Sequence, residues 1–473
     1  MLAAMPDSAP SPLSTGGASP RAGGDACPGT LRLHRADDGA LARVRVPGGV
    51  LNADQADALL AAAGRFGDGE LHLTSRGNVQ LRGLGTECGG ELAALLTAAG
   101  LLPSAAHERA RNIVASPLAG LDGSPSLRPW LTELDRLVCG SPAAASLSGR
   151  FLFALDDGRG DVDALGADVT LIAEGAGALL RVGAEDEVFR VPAAEAPRAA
   201  LLAAEEFLRA ARDSGAWRVK DLPDDVRAEV VRTTRSAAAG PPVRRPRPRT
   251  ATAPAPGPHS SATTGATTTT TAISTDVPLG RLTPTQWRLL TETARRYGGE
   301  LRLTPWRGVV VPGPFGPGQD EAAEALRALD AAGLITAPDS PWTGVGACIG
   351  HPGCAKSLSD VRAEAGAAVG TPGRLPVYWS GCERRCGHPH GEWIDVVATP
   401  DGHRISHVRG ERRDPPGTGT GPGTGTGTAP GPGPGPEPGP EPGPEPEPGP
   451  DPGTTTVLND SAALAAAVTA ARA

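Results

Sequence analysis

The stretch Gly69-Glu-Leu-His-Leu-Thr-Ser-Arg76-Gly-Asn-Val79 returns 230 residues later as Gly299-Glu-Leu-Arg-Leu-Thr-Pro-Trp306-Arg-Gly-Val309. In both copies the alternating apolar side chains predict a half-buried strand. A helical pattern precedes each copy, at 53–66 and 283–297, and another follows each, near 91–99 and 320–332. The alternative is chance similarity in a sequence of biased composition, but both the residue identities and the order of the predicted elements agree between the two copies. An internal duplication of a small α+β unit is therefore predicted.

Three low-complexity stretches interrupt the chain: a Ser/Pro/Gly/Ala-rich N terminus, a Pro/Thr/Ala-rich linker and a Gly/Pro-rich tail. Such segments bury too little apolar surface to offset the entropy of ordering them, so we predict that they are disordered. The predicted order is: disordered N terminus 1–26; first ferredoxin-like half 27–100; first α+β lobe 101–237; linker 238–276; second ferredoxin-like half 277–335; cysteine-bearing lobe 336–414; disordered tail 415–455; possible terminal helix 456–473.

Composition excludes some classes of function. The net charge of −8 is concentrated in the tail, which holds five acidic residues and no bases. Because no basic stripe with interleaved aromatic residues occurs, nucleic-acid binding is not expected. No apolar run approaches the ~18 residues of a membrane span, and the first residues lack the apolar region of a secretion signal. We therefore predict a cytoplasmic protein that does not bind membranes.

Four of the seven cysteines carry the strongest chemical signal: Cys348-x5-Cys354 and, after a gap of 27 residues, Cys382-x3-Cys386. Four thiolates suit zinc or an iron–sulfur cluster. Structural zinc sites usually space a cysteine pair by two to four residues, so the first pair fits zinc poorly. Glycines beside the cysteines let main chain approach inorganic sulfur. These observations favour a 4Fe–4S cluster, with zinc as the alternative.

The segment Gly344-Val-Gly-Ala-Cys348-Ile-Gly350 also satisfies the dinucleotide-binding pattern G-x-G-x-x-G. It contains a cluster cysteine, and no strand–turn–helix pattern encloses it, so a nicotinamide site is not expected there. Electrons from NAD(P)H would arrive through a separate reductase.

The chain resembles the nitrite/sulfite reductase superfamily in three motifs: the C-x5-C and C-x3-C cysteine pairs, the strand Leu73-Thr-Ser-Arg76-Gly-Asn-Val-Gln80, and the stretch Arg111-Asn-Ile-Val-Ala-Ser-Pro117-Leu-Ala-Gly120. The resemblance covers about 27–235 and 277–412. It implies an internally duplicated α+β fold, with two ferredoxin-like halves and two 4Fe–4S-type lobes around a tetrapyrrole. It also implies that Cys386 could bridge the cluster to a sirohaem iron.

Within the superfamily the chain looks most like the precorrin-3B synthase branch of aerobic cobalamin biosynthesis. Ala26-Cys-Pro-Gly-Thr-Leu-Arg-Leu-His34, Leu303-Thr-Pro-Trp-Arg-Gly308 and Ser380-Gly-Cys-x3-Cys386-Gly-His-Pro389 have the look of that branch. This implies precorrin-3A and molecular oxygen as substrates, with hydroxylation and lactone closure. The electron donor would be an external ferredoxin or flavin reductase.

One departure separates the branches. Reductases of nitrite or sulfite are expected to carry a Lys-Phe-Lys strand that binds and protonates the small anion. The corresponding stretch here is Arg150-Phe-Leu152, so the second basic position is leucine. Because oxyanion reduction consumes protons and needs clustered positive charge, Leu152 argues against that chemistry.

Candidate substrate-binding residues are Arg76, Arg111 and Arg150, since arginine binds the carboxylates that a precorrin carries. The alternative for each is a solvated arginine in an arginine-rich protein. His351, His388 or His390 could ligate a mononuclear non-haem iron, although loop histidines more often form only local hydrogen bonds. Bound sirohaem is less expected. A sirohaem-dependent nitrite or sulfite reductase and a non-catalytic tetrapyrrole-binding protein remain the rival functions, and the sequence assigns neither a catalytic residue nor a role for Cys27.

Overall fold

The computed structural model describes residues 27–409 and 456–472, apart from gaps at 213, 238, 250, 263–267, 316–319, 371–372, 390 and 459–460. The predicted disordered N terminus and tail lie outside the described residues. Among the helices that are described, none is both long and apolar enough to cross a membrane.

The N-terminal part contains a ferredoxin-like half followed by a lobe. The half comprises β1 (His34–Ala36), β2 (Gly39–Val44), β3 (Val50–Asn52), α1 (Ala53–Phe66), β4 (Leu71–Leu73), β5 (Val79–Leu84) and α2 (Gly89–Ala98). The first lobe comprises β6 (Ile113–Ala115), α3 (Arg128–Gly140), β7 (Phe153–Asp156), β8 (Val169–Glu174), β9 (Gly177–Val182), β10 (Glu187–Pro192), α4 (Ala196–Ala210), α5 (Asp224–Thr234) and β11 (Val243–Arg244).

The C-terminal part repeats this arrangement. Its half comprises β12 (Gly257–Ala262), β13 (Thr268–Asp276), β14 (Arg281–Leu282), α6 (Pro284–Tyr297), β15 (Glu300–Leu303), β16 (Gly308–Phe315) and α7 (Asp320–Ala331). The cysteine-bearing lobe comprises β17 (Val345–Ala347), α8 (Val361–Ala367), β18 (Val377–Ser380), β19 (Trp393–Thr399), β20 (Gly402–Val408), β21 (Thr456–Leu458) and α9 (Ser461–Arg472). The duplicated α+β fold predicted from the sequence is confirmed.

The two halves begin their first helices in the same way. Asn52 and Gln55 form a capping box at the start of α1, and Thr283 and Gln286 form its counterpart at α6. Each box satisfies main-chain N–H groups that a helix start leaves without partners. The shared capping chemistry is why both helices begin close to the residues predicted from the pattern.

Each half lends a short strand to the other half's sheet. The first sheet has the order β1-β2-β5-β4-β14, and the second has the order β12-β13-β16-β15-β3. The exchange covers the edges of β4 and β15, which would otherwise expose unpaired main-chain groups. Helices α1 and α6 pack together, and the indole of buried Trp287 donates a hydrogen bond to the Ala56 carbonyl at 2.8 Å. One apolar core runs through both halves.

The prediction of a disordered linker at 238–276 is wrong for the second part of that segment. Residues 257–262 and 268–276 form β12 and β13, which pair with each other, and β13 also pairs with β16. The threonine-rich composition that suggested disorder is rich in β-branched residues, which favour strands when a partner edge is available. The described residues before β12 lie against the first lobe, where Arg181 donates to the Arg245 carbonyl at 2.9 Å.

The two lobes share a sheet topology. In the first lobe β6, β7 and β8 are parallel and β9 returns antiparallel, and β17, β18, β19 and β20 repeat this pattern. Helices α3 and α4 cover one face of the first sheet. In the cysteine-bearing lobe, α8 and α9 pack against the sheet. Because parallel strands end at one edge, loops after β17 and β18 must lie side by side.

Burial of Asp276 gives the fold a pH dependence. Burial raises the pKa of this carboxyl from 3.8 to about 7, so the folded state favours its protonated form. The associated stability is present below about pH 4 and is lost as the pH rises toward 7. Between pH 5 and pH 8, ionisation of Asp276 should lower the free energy of unfolding by about 1 kcal/mol or more. Asp276→Asn should remove this decrease. Urea unfolding at both pH values measures it. The exposed Asp339→Asn is the control, and equal pH dependence in Asp276→Asn and wild type would contradict the prediction.

Candidate active site

The cysteine loops lie at the carboxyl edge of the parallel strands β17 and β18. Cys348 follows β17 directly, and Cys382 follows β18 after a single glycine. The Cys348 N–H donates to the Trp379 carbonyl at 2.9 Å, and the Gly381 N–H points at the Cys348 sulfur, 3.2 Å away. A methyl group at Gly381 would stand 1.7 Å from the Ser357 hydroxyl oxygen, so only glycine fits at this point of the loop.

The structure brings the four predicted cysteines together. Partial burial raises the pKa of the Cys386 thiol, Arg384 lowers it, and the thiols of Cys382, Cys348 and Cys354 raise it further. Thiolates gathered in this way repel one another unless a metal centre carries the balancing charge. The donor set therefore fits a metal group held by sulfur.

The four sulfur atoms are not drawn together as closely as the ligands of one zinc ion. Tetrahedral zinc with Zn–S bonds of ~2.3 Å would place its sulfur ligands about 3.8 Å apart. No three of the four sulfur atoms lie within 4.8 Å of one another. A wider core, as in a 4Fe–4S cluster, suits this arrangement.

Two equivalent turns connect the cysteine loops to the first lobe. In the first half, Arg76 donates to the Gly149 carbonyl at 3.0 Å. In the second half, Arg307 donates to the Gly387 carbonyl at 2.9 Å, one residue after Cys386. The two turns lie side by side, as the space around Gly77 shows: a methyl group there would stand 3.0 Å from the Leu303 carbonyl oxygen. Arg76 and the Cys386 loop therefore flank the same pair of turns.

Arg76 belongs to a group of half-buried cations. Burial, together with Arg218 and Arg43, lowers the pKa of Arg76 to about 10, against the opposing effects of Asp168 and Cys27. The buried Nε of Arg43 makes no hydrogen bond in the described structure. An excess of enclosed positive charge of this kind suits a ligand with carboxylates.

Sequence reasoning missed several members of this group. Arg45 donates to the Gly149 carbonyl at 3.2 Å, Arg218 pairs with Asp168 at 3.0 Å, and Arg247 lies 3.8 Å from Asp163. Spacing by two residues places Arg43 and Arg45 on one side of an extended strand, and that signal was present in the sequence. Arg247 was hidden in the segment predicted as a linker.

The other two predicted arginines do not join Arg76. Arg111 is buried and binds both oxygens of Asp135 at 2.8 Å, with a third bond to the Leu101 carbonyl. This ion pair within the protein occupies the Arg111 guanidinium, so no contact supports the predicted role of Arg111 in binding a substrate carboxylate. Arg150 is exposed, and its main-chain N–H bonds the Ser148 hydroxyl.

Leu152 is buried in an apolar cluster. It is 4% exposed and packs with Val114, Ala154 and neighbours from the following loop. Trp306, the counterpart of Arg76 in the second half, lies partly buried against the same cluster. This face of the first lobe is therefore apolar where a second basic side chain would serve anion reduction.

The histidines suggested for a mononuclear iron are not gathered at a site. His351 and His388 are exposed, His388 stacks on Trp393, and His390 lies outside the described residues. Compact groups of metal-binding side chains in the described part of the chain are Asp68 with Glu70 and His72, and Asp156 with Asp157 and Asp161. Neither group has the two histidines and one carboxylate typical of non-haem iron.

Comparison with known families finds the same duplication. Residues 33–99 and 265–331 each match the nitrite/sulfite reductase ferredoxin-like half domain. The second match starts inside the segment predicted as a linker, in agreement with β13.

Relatives span most of the chain. A precorrin-3B synthase of Sinorhizobium sp. is 28% identical over 80% of this chain and 82% of its own length. A ferredoxin–nitrite reductase of Synechococcus elongatus is 26% identical over 78% of both chains. The solved structure of the Mycobacterium tuberculosis NirA protein superposes with a TM-score of 0.62 at 22% identity, over 79% of this chain and 77% of that one. The resemblance to precorrin-3B synthase within the nitrite/sulfite reductase superfamily, predicted from the sequence, is confirmed.

Proposed function

We propose that this chain is a precorrin-3B synthase, a monooxygenase that hydroxylates precorrin-3A and closes a lactone on it in cobalamin biosynthesis. One atom of molecular oxygen would enter the macrocycle and the other would leave as water, with two electrons from an external donor. A 4Fe–4S cluster on Cys348, Cys354, Cys382 and Cys386 would supply those electrons one at a time. The donor would be a ferredoxin or a flavin reductase linked to NAD(P)H, and the location would be cytoplasmic.

The observation that carries this choice is the burial of Leu152. Reduction of nitrite or sulfite needs cationic side chains that deliver protons and stabilise a small anion. At this position the chain buries leucine at 4% exposure, among Val114, Ala154 and Trp306. An apolar wall suits a macrocycle face better than a small oxyanion.

The arginine group gives the same site its binding chemistry. The guanidinium of Arg76, held by the Gly149 carbonyl, would bind a ring carboxylate with Arg43 beside it. Exposed Arg150 would contribute at the rim, while Arg111 would hold α3 through Asp135. In this proposal the protein orients the ring, and the chain's described residues give no reason to assign a catalytic acid or base. A mononuclear iron remains a further candidate cofactor, and sirohaem is a weaker one.

Sirohaem-dependent nitrite reduction is the second candidate. It is favoured by the 26% identity to a ferredoxin–nitrite reductase and by the same cationic group, which could bind sirohaem carboxylates. In that case Cys386 would be the bridge from the cluster to the sirohaem iron. A tetrapyrrole carrier without turnover is the candidate of another class.

The test supplies the reduced protein with precorrin-3A under air and under argon, and separately with nitrite or sulfite. We expect precorrin-3A consumption that requires oxygen, and no anion reduction. Nitrite reduction with sirohaem bands in the visible spectrum would favour the second candidate. Tight binding of precorrin-3A without consumption under either gas would favour the carrier.

A further inference from the structure

Arg307 holds a main-chain conformation that favours glycine. Its φ is 63°, and the equivalent residue of the first half is Gly77, with a φ of 64°. The two turns match in detail: the Gly77 N–H donates to the Thr74 carbonyl and the Arg307 N–H donates to the Thr304 carbonyl. A side chain at a left-handed position costs free energy that glycine avoids. The second half therefore carries arginine at a left-handed position of the turn where glycine would be more stable.

The Arg307 side chain reaches the Cys386 loop. Its Nη2 donates to the Gly387 carbonyl at 2.9 Å, and its guanidinium carbon lies 5.7 Å from the centre of the Tyr378 ring. Tyr378 in turn donates to the Cys386 carbonyl at 2.6 Å. Gly280 leaves the space that the Arg307 stem occupies, since a methyl group there would stand 2.5 Å from Cδ.

Two further arginines contact the other cysteine loop in the same manner. Arg362 donates from Nε to the Cys348 carbonyl at 3.2 Å. Arg82, from β5 of the first half, donates to the Gly353 carbonyl at 2.8 Å, one residue before Cys354. Arginines from three separate parts of the chain thus bind main-chain carbonyls beside three of the four cysteines. We call Arg82, Arg307 and Arg362 the arginine collar.

Two of these cations have no carboxylate partner. Arg82 is paired with Asp38. Within the described residues neither Arg307 nor Arg362 forms an ion pair, although both residues are half-buried. Enclosing an unpaired cation is unfavourable unless an anion lies nearby. The four thiolates of a cluster are the anionic group that these loops would bring into reach.

We propose that the arginine collar raises the reduction potential of the cluster, with Arg307 as the positioning residue that also fixes the Cys386 loop. An added electron makes the cluster more negative, and nearby positive charge stabilises that reduced form. The inference rests on the cluster assigned under the proposed function. It does not depend on which tetrapyrrole or oxidant the site takes.

The test replaces Arg307 with glycine, which removes the charge and relieves the strained turn. Midpoint potential is measured by redox titration followed by electron paramagnetic resonance of the reduced cluster. At the wild-type midpoint, we expect the ratio of reduced to oxidised cluster to fall threefold to tenfold, where tenfold is ~59 mV for one electron. Iron and acid-labile sulfide should remain, and the melting temperature should not fall. Arg307→Lys should lie nearer to wild type than Arg307→Gly.

Exposed Arg288→Gln on α6 serves as the control and should keep the wild-type potential. If Arg307→Gly loses the cluster, Arg307→Gln provides the same measurement with a side chain retained. An unchanged potential in a variant that keeps its cluster would overturn the role of the collar, as would a lysine variant no closer to wild type than glycine. Wild-type protein without sulfide would instead overturn the cluster assignment. A shifted potential without precorrin-3A turnover would overturn the proposed reaction alone.

Discussion

Serine at any one of Cys348, Cys354, Cys382 or Cys386 should remove the broad visible absorbance of the protein and most of its iron and acid-labile sulfide. A hydroxyl is a harder and poorer ligand for iron than a thiolate, so three remaining cysteines would hold the cluster weakly. The effect should be near complete at Cys348, because the Gly381 N–H is aimed at its sulfur from the opposite loop. The measurement is iron and sulfide content per chain, together with the absorbance spectrum of protein purified without oxygen.

Cys88 and Cys139 supply matched controls. Cys88 lies at the start of α2 and Cys139 in the last turn of α3, both outside the cysteine-bearing lobe. Neither shares the ligand spacing of the two cysteine pairs in that lobe. Serine at either should leave iron and sulfide unchanged. Equal loss in both sets would mean that the four cluster ligands were chosen wrongly.

Arg76→Ala should weaken precorrin-3A binding by roughly ten- to hundredfold, since losing a charged hydrogen-bond partner costs about 1.5–3 kcal/mol. Iron and sulfide content should stay at the wild-type level, because the guanidinium of Arg76 donates its hydrogen bond to Gly149 of the first lobe. The affinity is measured by quenching of precorrin fluorescence in the absence of oxygen. The exposed Arg136→Ala on α3, whose partner is Glu133, is the control for loss of a surface arginine.

Arg111→Ala should behave differently. Its guanidinium holds Asp135 with two hydrogen bonds, so removing it leaves a half-buried carboxylate without its partner. We expect lower stability against urea, with binding per folded molecule little changed. If Arg111→Ala weakened binding as much as Arg76→Ala at full stability, the sequence interpretation of Arg111 would be restored and the structural one contradicted.

Much of this architecture could be predicted because it depends on local patterns. Repeated strand and cap motifs, such as Asn52 with Gln55 and Thr283 with Gln286, determine where α1 and α6 begin. The four cysteines were recognisable from their spacing. The two cysteine pairs meet because β17 and β18 are parallel, which brings the ends of both strands to one edge of the sheet.

What could not be predicted depends on partners distant in sequence. Residues 268–276 form a strand because β16 offers an edge, and β3 and β14 join sheets other than their own. Composition alone cannot reveal such pairing, because the same threonine-rich segment without an edge would remain disordered. Arg307 is the sharpest example, since the role proposed for it rests on a hydrogen bond to Gly387, 80 residues away.

The most direct test of the central claim follows the mass of the product formed from precorrin-3A under ¹⁸O₂. The reduced, cluster-loaded protein is mixed with precorrin-3A and an electron donor, and the products are analysed by mass spectrometry. We predict a lactone product carrying one ¹⁸O atom, formed by wild type and not by Cys348→Ser. An unlabelled tetrapyrrole together with sirohaem-dependent reduction of nitrite or sulfite by the same protein would contradict the account.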